Sequence, residues 1–161
     1  MRKEIHSNHV TVLDRSADRY TMQSRQKRNG GTHMRHNFST HTPWEAMAGY
    51  SRAVRIGNII AVSGTTASNA AGEVQHIGDA GAQATYIIRK IESSLAEAGA
   101  SLSDVIRTRI FVANIADWEA VARAHGAIFG NIRPANTLVS ASMVDPLQLV
   151  EIEADAVISN D

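Results

Sequence analysis

A chain of 161 residues, 43% of them hydrophobic, can bury one core and is short for two domains of ordinary size. With no cysteine it has no disulfide framework, thiolate metal site or thiol nucleophile, which suits a reducing, cytoplasmic setting. Its longest aliphatic run, Ile59-Ile60-Ala61-Val62, falls far below the roughly 20 residues of a membrane span, and the N-terminus has no apolar signal core. A soluble, intracellular protein with no membrane partner is expected.

Formal net charge is zero, but the charge is unevenly spread. Arg2, Lys3, Arg15, Arg19, Arg25, Lys27 and Arg28 against Glu4, Asp14 and Asp18 leave residues 1–33 with a surplus of four positive charges, so the remainder is acidic. That segment has no sustained period and ends in Gln26-Lys27-Arg28-Asn29-Gly30-Gly31. It reads as a disordered extension upstream of a single domain over 34–161 that opens at Met34. Arg25-Gln26-Lys27-Arg28 reads as a solvated tail more readily than as a nucleic-acid contact. His6-x-x-His9 and His33-x-x-His36 have metal-ligand spacing but no acidic or cysteine partners at matching positions, so no metal is expected.

Pro43 and Trp44 pin the entry of the chain. Tyr50 to Ile56 then reads as a strand, Gly57-Asn58 as a two-residue turn and Ile59 to Ala67 as a more buried second strand. After the turn Ser68-Asn69-Ala70-Ala71-Gly72, Glu73 to Ile77 is a candidate short third strand. Asp79 to Ala98 is a helix with Ala84, Ile87, Ile88, Ile91, Leu95 and Ala98 in one stripe and Gly99 as its C′ residue. Val105 to Ala113 alternates, with Ile106, Thr108, Ile110 and Val112 on one side and Arg107 and Arg109 on the other. Asp117 is placed to cap a second helix carrying Trp118, Val121, Ala122, His125, Ile128 and Phe129, which Gly130 ends.

Two strands close the chain. In Asn136 to Val144 the odd positions are the more apolar. In Leu149 to Ile158, Val150, Ile152, Ala154, Ala156 and Ile158 share one face and Glu151, Glu153 and Asp155 the other. The order β-β-(β)-α-β-α-β-β, with two amphipathic helices able to cover one sheet face, predicts an α+β two-layer fold on a mixed sheet. The opposite face would hold Arg107, Arg109, Phe111, Leu138, Ser140, Ser142, Glu151, Glu153 and Asp155, a mixture that reads as a subunit interface in a closed homo-oligomer.

"GYSRAVRIGNIIAVSGTTA" (49–67), "AQATYIIRKIESSLAEAGASLSDVIRTRIFVANIADWEAV" (82–121) and "IRPANTLVSASMVDPLQLVEIEADAV" (132–157) resemble the reactive intermediate deaminase family, RidA or YjgF, over roughly residues 34–158. The resemblance implies a chorismate-mutase-like fold, a homotrimer with clefts between subunits, and hydrolysis of 2-imino acids to 2-keto acids and ammonia without metal or cofactor. It also implies a cleft lined by Tyr50, with backbone from Ser63 and Gly64, and a water held by Glu151. Where the family has an arginine after Pro-Ala to grip the substrate carboxylate, this chain has Asn136; Arg133 matches a separate arginine.

An amide brings no charge, and losing about 2–4 kcal/mol of anchoring would lower efficiency on the order of 30- to 1000-fold unless another cation compensates. Arg52 and Arg109 are the candidates, Arg109 having pairing with Glu151, Glu153 or Asp155 as its alternative. A Glu151/Glu153 pair acting as a carboxylate hydrolase is the weaker reading, because both come from one strand. His125, on an apolar stripe, reads first as a core-edge residue and second as a cleft acid or base. Three functions follow in order: a small-molecule carboxylate or carbonyl ligand bound or hydrolysed at an imine or enamine, a non-catalytic metabolite binder, and a ribonuclease or translation inhibitor. The last is disfavoured by the acidic body.

Overall fold

A computed structural model describes residues 34–159. The basic extension with His6, His9 and His33 lies outside the described residues. The elements run β1 (Arg35–Phe38), α1 (Pro43–Ala48), β2 (Ala53–Ile56), β3 (Ile59–Thr66), α2 (Ala80–Glu97), β4 (Val105–Val112), α3 (Trp118–Phe129), β5 (Ala135–Ser140) and β6 (Val150–Val157). They build one mixed sheet in the order β1-β2-β3-β6-β4-β5. Every neighbouring pair is antiparallel except β4 and β5, which α3 connects as a crossover helix.

The hairpin forms as its turn chemistry predicts: Ile56 pairs with Ile59, and Gly57 at φ 63° supplies the positive φ that a two-residue loop needs. Asp79 caps α2 by accepting from the Ala82 N–H at 2.9 Å, and Gly99 at φ 80° follows its end. The α2 stripe Ala84, Ile87, Ile88, Ile91 and Leu95 is fully buried against Ile60, Ile110, Val150 and Ile152 of the sheet. Burial of each large aliphatic side chain contributes about 1.5–3 kcal/mol, which makes this layer the source of the domain's stability. Along β6 the alternation holds, with Val150, Ile152, Ala154 and Ala156 under the helices and Glu151, Glu153 and Asp155 on the open face.

Three expectations are corrected. Glu73 to Ile77 is no strand; apart from one Ser68–Val74 bridge, Asn69 satisfies this loop by accepting from the Ala71 and Glu73 N–H groups. In β4 an extra residue between Val105 and Arg107 makes a bulge that turns Ile106 outward, 54% exposed, instead of inward beside Thr108. Asp117 makes no side-chain cap; Asn114 instead accepts from Ala116 N–H in the preceding 3₁₀ turn. Gly130 ends α3 as expected, in right-handed backbone, and Arg133 at φ 55° then turns the chain, its N–H donating to Phe129 O at 2.8 Å.

Register settles the faces of β5. Leu138 pairs with Ile110 and Ser140 with Val112, so both lie on the helix side and not on the open face. Thr137 and Val139 take the open face instead, beside Arg109 and Phe111. β1 and α1 had no sequence forecast: Arg-His-Asn-Phe has no alternation, because an edge strand with three exposed residues needs none.

Candidate functional site

Between Val62 and Thr65 the β3 ladder slips by one residue against β6, so Ser63 and Gly64 together face Glu153 and their carbonyls leave the regular pairing. Arg52, just before β2, takes both: its Nη2 donates to Ser63 O at 2.6 Å and to Gly64 O at 2.7 Å. Ser63 returns to the strand entry, its hydroxyl donating to Ser51 O at 2.7 Å and its N–H to Arg52 O at 3.1 Å. Burial draws the Arg52 pKa down, while Tyr50, Glu45 and Glu151 oppose that shift. Arg52 is thus a strut inside the bulge.

Glu151 pairs with Thr66 across β3 and β6, and its carboxylate lies against the α-carbon of Gly64. A Cβ on residue 64 would sit 1.9 Å from Glu151 Oε1. Arg109 does not reach Glu151: its Nη1 pairs with Glu153 Oε1 at 2.8 Å and its Nη2 with Asp155 Oδ2 at 3.2 Å. Burial first, and then the neighbouring Glu153 charge, raise the Glu151 pKa, with Arg52 pulling the other way. Glu151 is therefore a carboxyl raised in pKa, with no ion pair among the described residues.

Lys90 of α2 donates to Thr66 O at 2.9 Å and Ser68 O at 2.6 Å, fastening the end of β3. Burial and the nearby Arg52 push its pKa down to about 8. On the outer flank, Glu45 of α1 accepts from Thr40 N at 3.1 Å, from Thr40 Oγ1 at 2.6 Å and from the Ser39 hydroxyl. Burial opposes its ionisation, but these hydrogen bonds prevail and lower its pKa. A surface groove of about 480 Å³ runs past Ser39, Glu45 and Tyr50, a residue 41% exposed.

Asn136 belongs to a second cluster. It pairs with Thr108 across β5 and β4, and its Nδ2 donates to Thr108 Oγ1 at 2.8 Å. Thr108 Oγ1 is 3.0 Å from His125 Nε2, and the imidazole stacks on Phe129 with centroids 4.6 Å apart. Burial lowers the His125 pKa and favours the neutral ring. The register puts Asn136 on the helix side and Glu151 on the open side, so one chain does not bring these two residues together.

Such a sheet and helix layer, with an unpaired strand carboxyl beside a bulged β-hairpin, defines the class. The chain belongs to the endoribonuclease L-PSP family, the RidA/YjgF proteins, whose family model matches residues 40–158. It is 36% identical over 110 residues to the 3-aminoacrylate deaminase RutC of Acinetobacter baylyi, covering 68% of this chain and 87% of that one. SCO2049 of Streptomyces coelicolor is 37% identical over 117 residues, 71% of this chain and 86% of the other. The crystal structure of Rv2704 from Mycobacterium tuberculosis, a YjgF/YER057c/UK114 family member, superposes with a TM-score of 0.70 at 43% identity over 78% of this chain and all of that one.

Sequence reading passed over Glu45, Lys90 and the link from Thr108 to Asn136. Thr42-Pro43-Trp44-Glu45 did carry a signal, since Thr, Pro and a following acid mark a helix start. Among the described residues no helix is long and apolar enough to cross a membrane.

Proposed function

We propose that the protein hydrolyses the C–N bond of a small reactive imine or enamine, giving a carbonyl compound and ammonia, in clefts between the subunits of a homotrimer. The observation that carries this reading is the Glu151 carboxyl, raised in pKa, without an ion pair among the described residues and seated over Gly64. Such a group takes a proton from water as the water adds to the C=N carbon and passes it to the nitrogen, then relays the carbinolamine hydroxyl proton to the nitrogen as the C–N bond breaks and the C=O forms. The products balance as one carbonyl and one ammonia per imine and water. Tyr50 at the groove rim and the Ser63–Gly64 bulge line the approach, and Asn136 of a neighbouring subunit orients the substrate.

Assembly is supported by the open sheet face, where Ile56, Ile59 and Val139 expose apolar surface around the Arg109–Glu153–Asp155 cluster. The RutC relative supports deaminase chemistry. The family's ribonuclease label gains no support from this face, whose three carboxylates Glu151, Glu153 and Asp155 outnumber its arginines Arg107 and Arg109.

Ammonia release from freshly generated small imines, with and without a carboxylate, tests the proposal. Wild type is expected to accelerate release and Glu151→Ala to lose the effect. Rates matching buffer for wild type on both kinds of imine would overturn it.

A further inference from the structure

Among the described residues Arg52 gives its Nη2 to the Ser63 and Gly64 carbonyls, its buried Nε finding no partner, and Arg109 pairs with Glu153 and Asp155. At the anchor position on β5 itself stands the neutral Asn136, and the way it is held determines what it offers. Its Nδ2 faces Thr108 Oγ1. A hydroxyl that accepts from the amide has its own proton free for His125 Nε2, 3.0 Å away. This direction requires a neutral imidazole with its proton on Nδ1, which burial of His125 favours. Phe129, stacked on the ring, holds it in place.

With one N–H used inside, the exposed Asn136 side chain has one N–H and the carbonyl Oδ1 left to turn outward. We infer that the substrate group met by Asn136 is a neutral carboxamide or lactam, not a carboxylate, and that Thr108 and His125 are positioning residues for this choice. A carboxamide answers one donor and one acceptor with two hydrogen bonds. A carboxylate answers only the donor, and its second oxygen confronts the Oδ1 lone pairs with no guanidinium to offset the repulsion. The inference rests on the proposal that Asn136 faces the substrate, and it names the substrate class for that site.

Calorimetric titration of the full-length protein with 2-oxobutanamide and with 2-oxobutanoate, two product analogues that differ only in this group, separates the possibilities. Wild type is expected to bind the amide at least about 10-fold more tightly, the worth of one hydrogen bond gained and one repulsion avoided. Thr108→Val, which removes the hydroxyl at nearly constant volume, should shrink that preference to within about 2-fold, while Thr108→Ser keeps it. A lost preference in Val restored in Ser is a readout that mere packing would not produce. Asn136→Arg should reverse the order. Preference of wild type for 2-oxobutanoate, binding of neither compound, or full preference in Thr108→Val would each overturn the inference. An intact amide preference without ammonia release from any imine would leave it standing and overturn the hydrolytic reading alone.

Discussion

Gly64 and Glu151 occupy one space: the carboxylate of Glu151 fills the position where a side chain on residue 64 would begin, 1.9 Å from the ideal Cβ. Arg52 holds the Gly64 carbonyl, and the atoms in the way of a side chain on residue 64 all belong to the flexible Glu151 side chain. Gly64→Ala should therefore expel the carboxylate rather than move the strand. The expected outcome is a loss of imine clearance of about 100-fold or more, as for removal of a positioned acid–base group, with little loss of stability because the displaced atoms are the flexible end of the Glu151 side chain. Steady-state rates together with thermal unfolding check both parts.

Glu151 itself carries two pH signatures of opposite sense. Burial and Glu153 raise its pKa in the fold, so the folded state favours the protonated form. That advantage is complete below the ordinary value of 4.5 and is lost as pH rises through the higher folded value. Glu151→Gln is then expected to be more stable than wild type at neutral pH and equal to it in acid. Activity runs the other way, since the base must be ionised: the rate should fall as pH drops through the raised pKa. Thermal melts and a kcat/KM profile from pH 4 to 8 test the pair.

Arg109 tunes this carboxyl from a distance. Its guanidinium neutralises Glu153 and Asp155, and Glu153 is one of the charges that raise Glu151. Arg109→Met leaves those carboxylates uncompensated, and the acid limb of the rate profile should move to higher pH. Because solvent screens the cluster, the direct stability loss in an isolated chain is expected to be small. An unmoved acid limb would break the link between Arg109 and Glu151.

How much of this was legible follows from what each element depends on. The α2 stripe, the Gly57-Asn58 hairpin and the alternation of β6 are local patterns, and the fold repeats them. The bulges at Ser63–Gly64 and Ile106 are properties of pairing with β6, so neither strand's own pattern reveals them. That is why Ile106 was read as inward. The faces of Leu138 and Ser140 failed for a related reason: β5 is an edge strand whose register comes from β4, and its apolar odd positions face the open side. Within the site, the acidic residue types of β6 were readable. The partition of Arg109 between Glu153 and Asp155, which frees Glu151, required the coordinates.

The assembly should yield to a single charge on the open face. Ile59, 58% exposed, pairs with Val157 on one side and Ile56 on the other, making an apolar row at the end of the sheet where β2, β3 and β6 meet. Covering such a row is the cheapest way to remove it from water, and an unpaired lysine within it costs several kcal/mol on association. Ile59→Lys should leave the monomer folded, because its side chain is outside the helix-covered core, while shifting the oligomer to smaller species. Loss of imine clearance in step with loss of mass, measured by light scattering and ammonia release on the same samples, is the result expected if the cleft needs residues from two chains. Full activity in a dispersed Ile59→Lys protein would place Asn136 and Glu151 in separate roles.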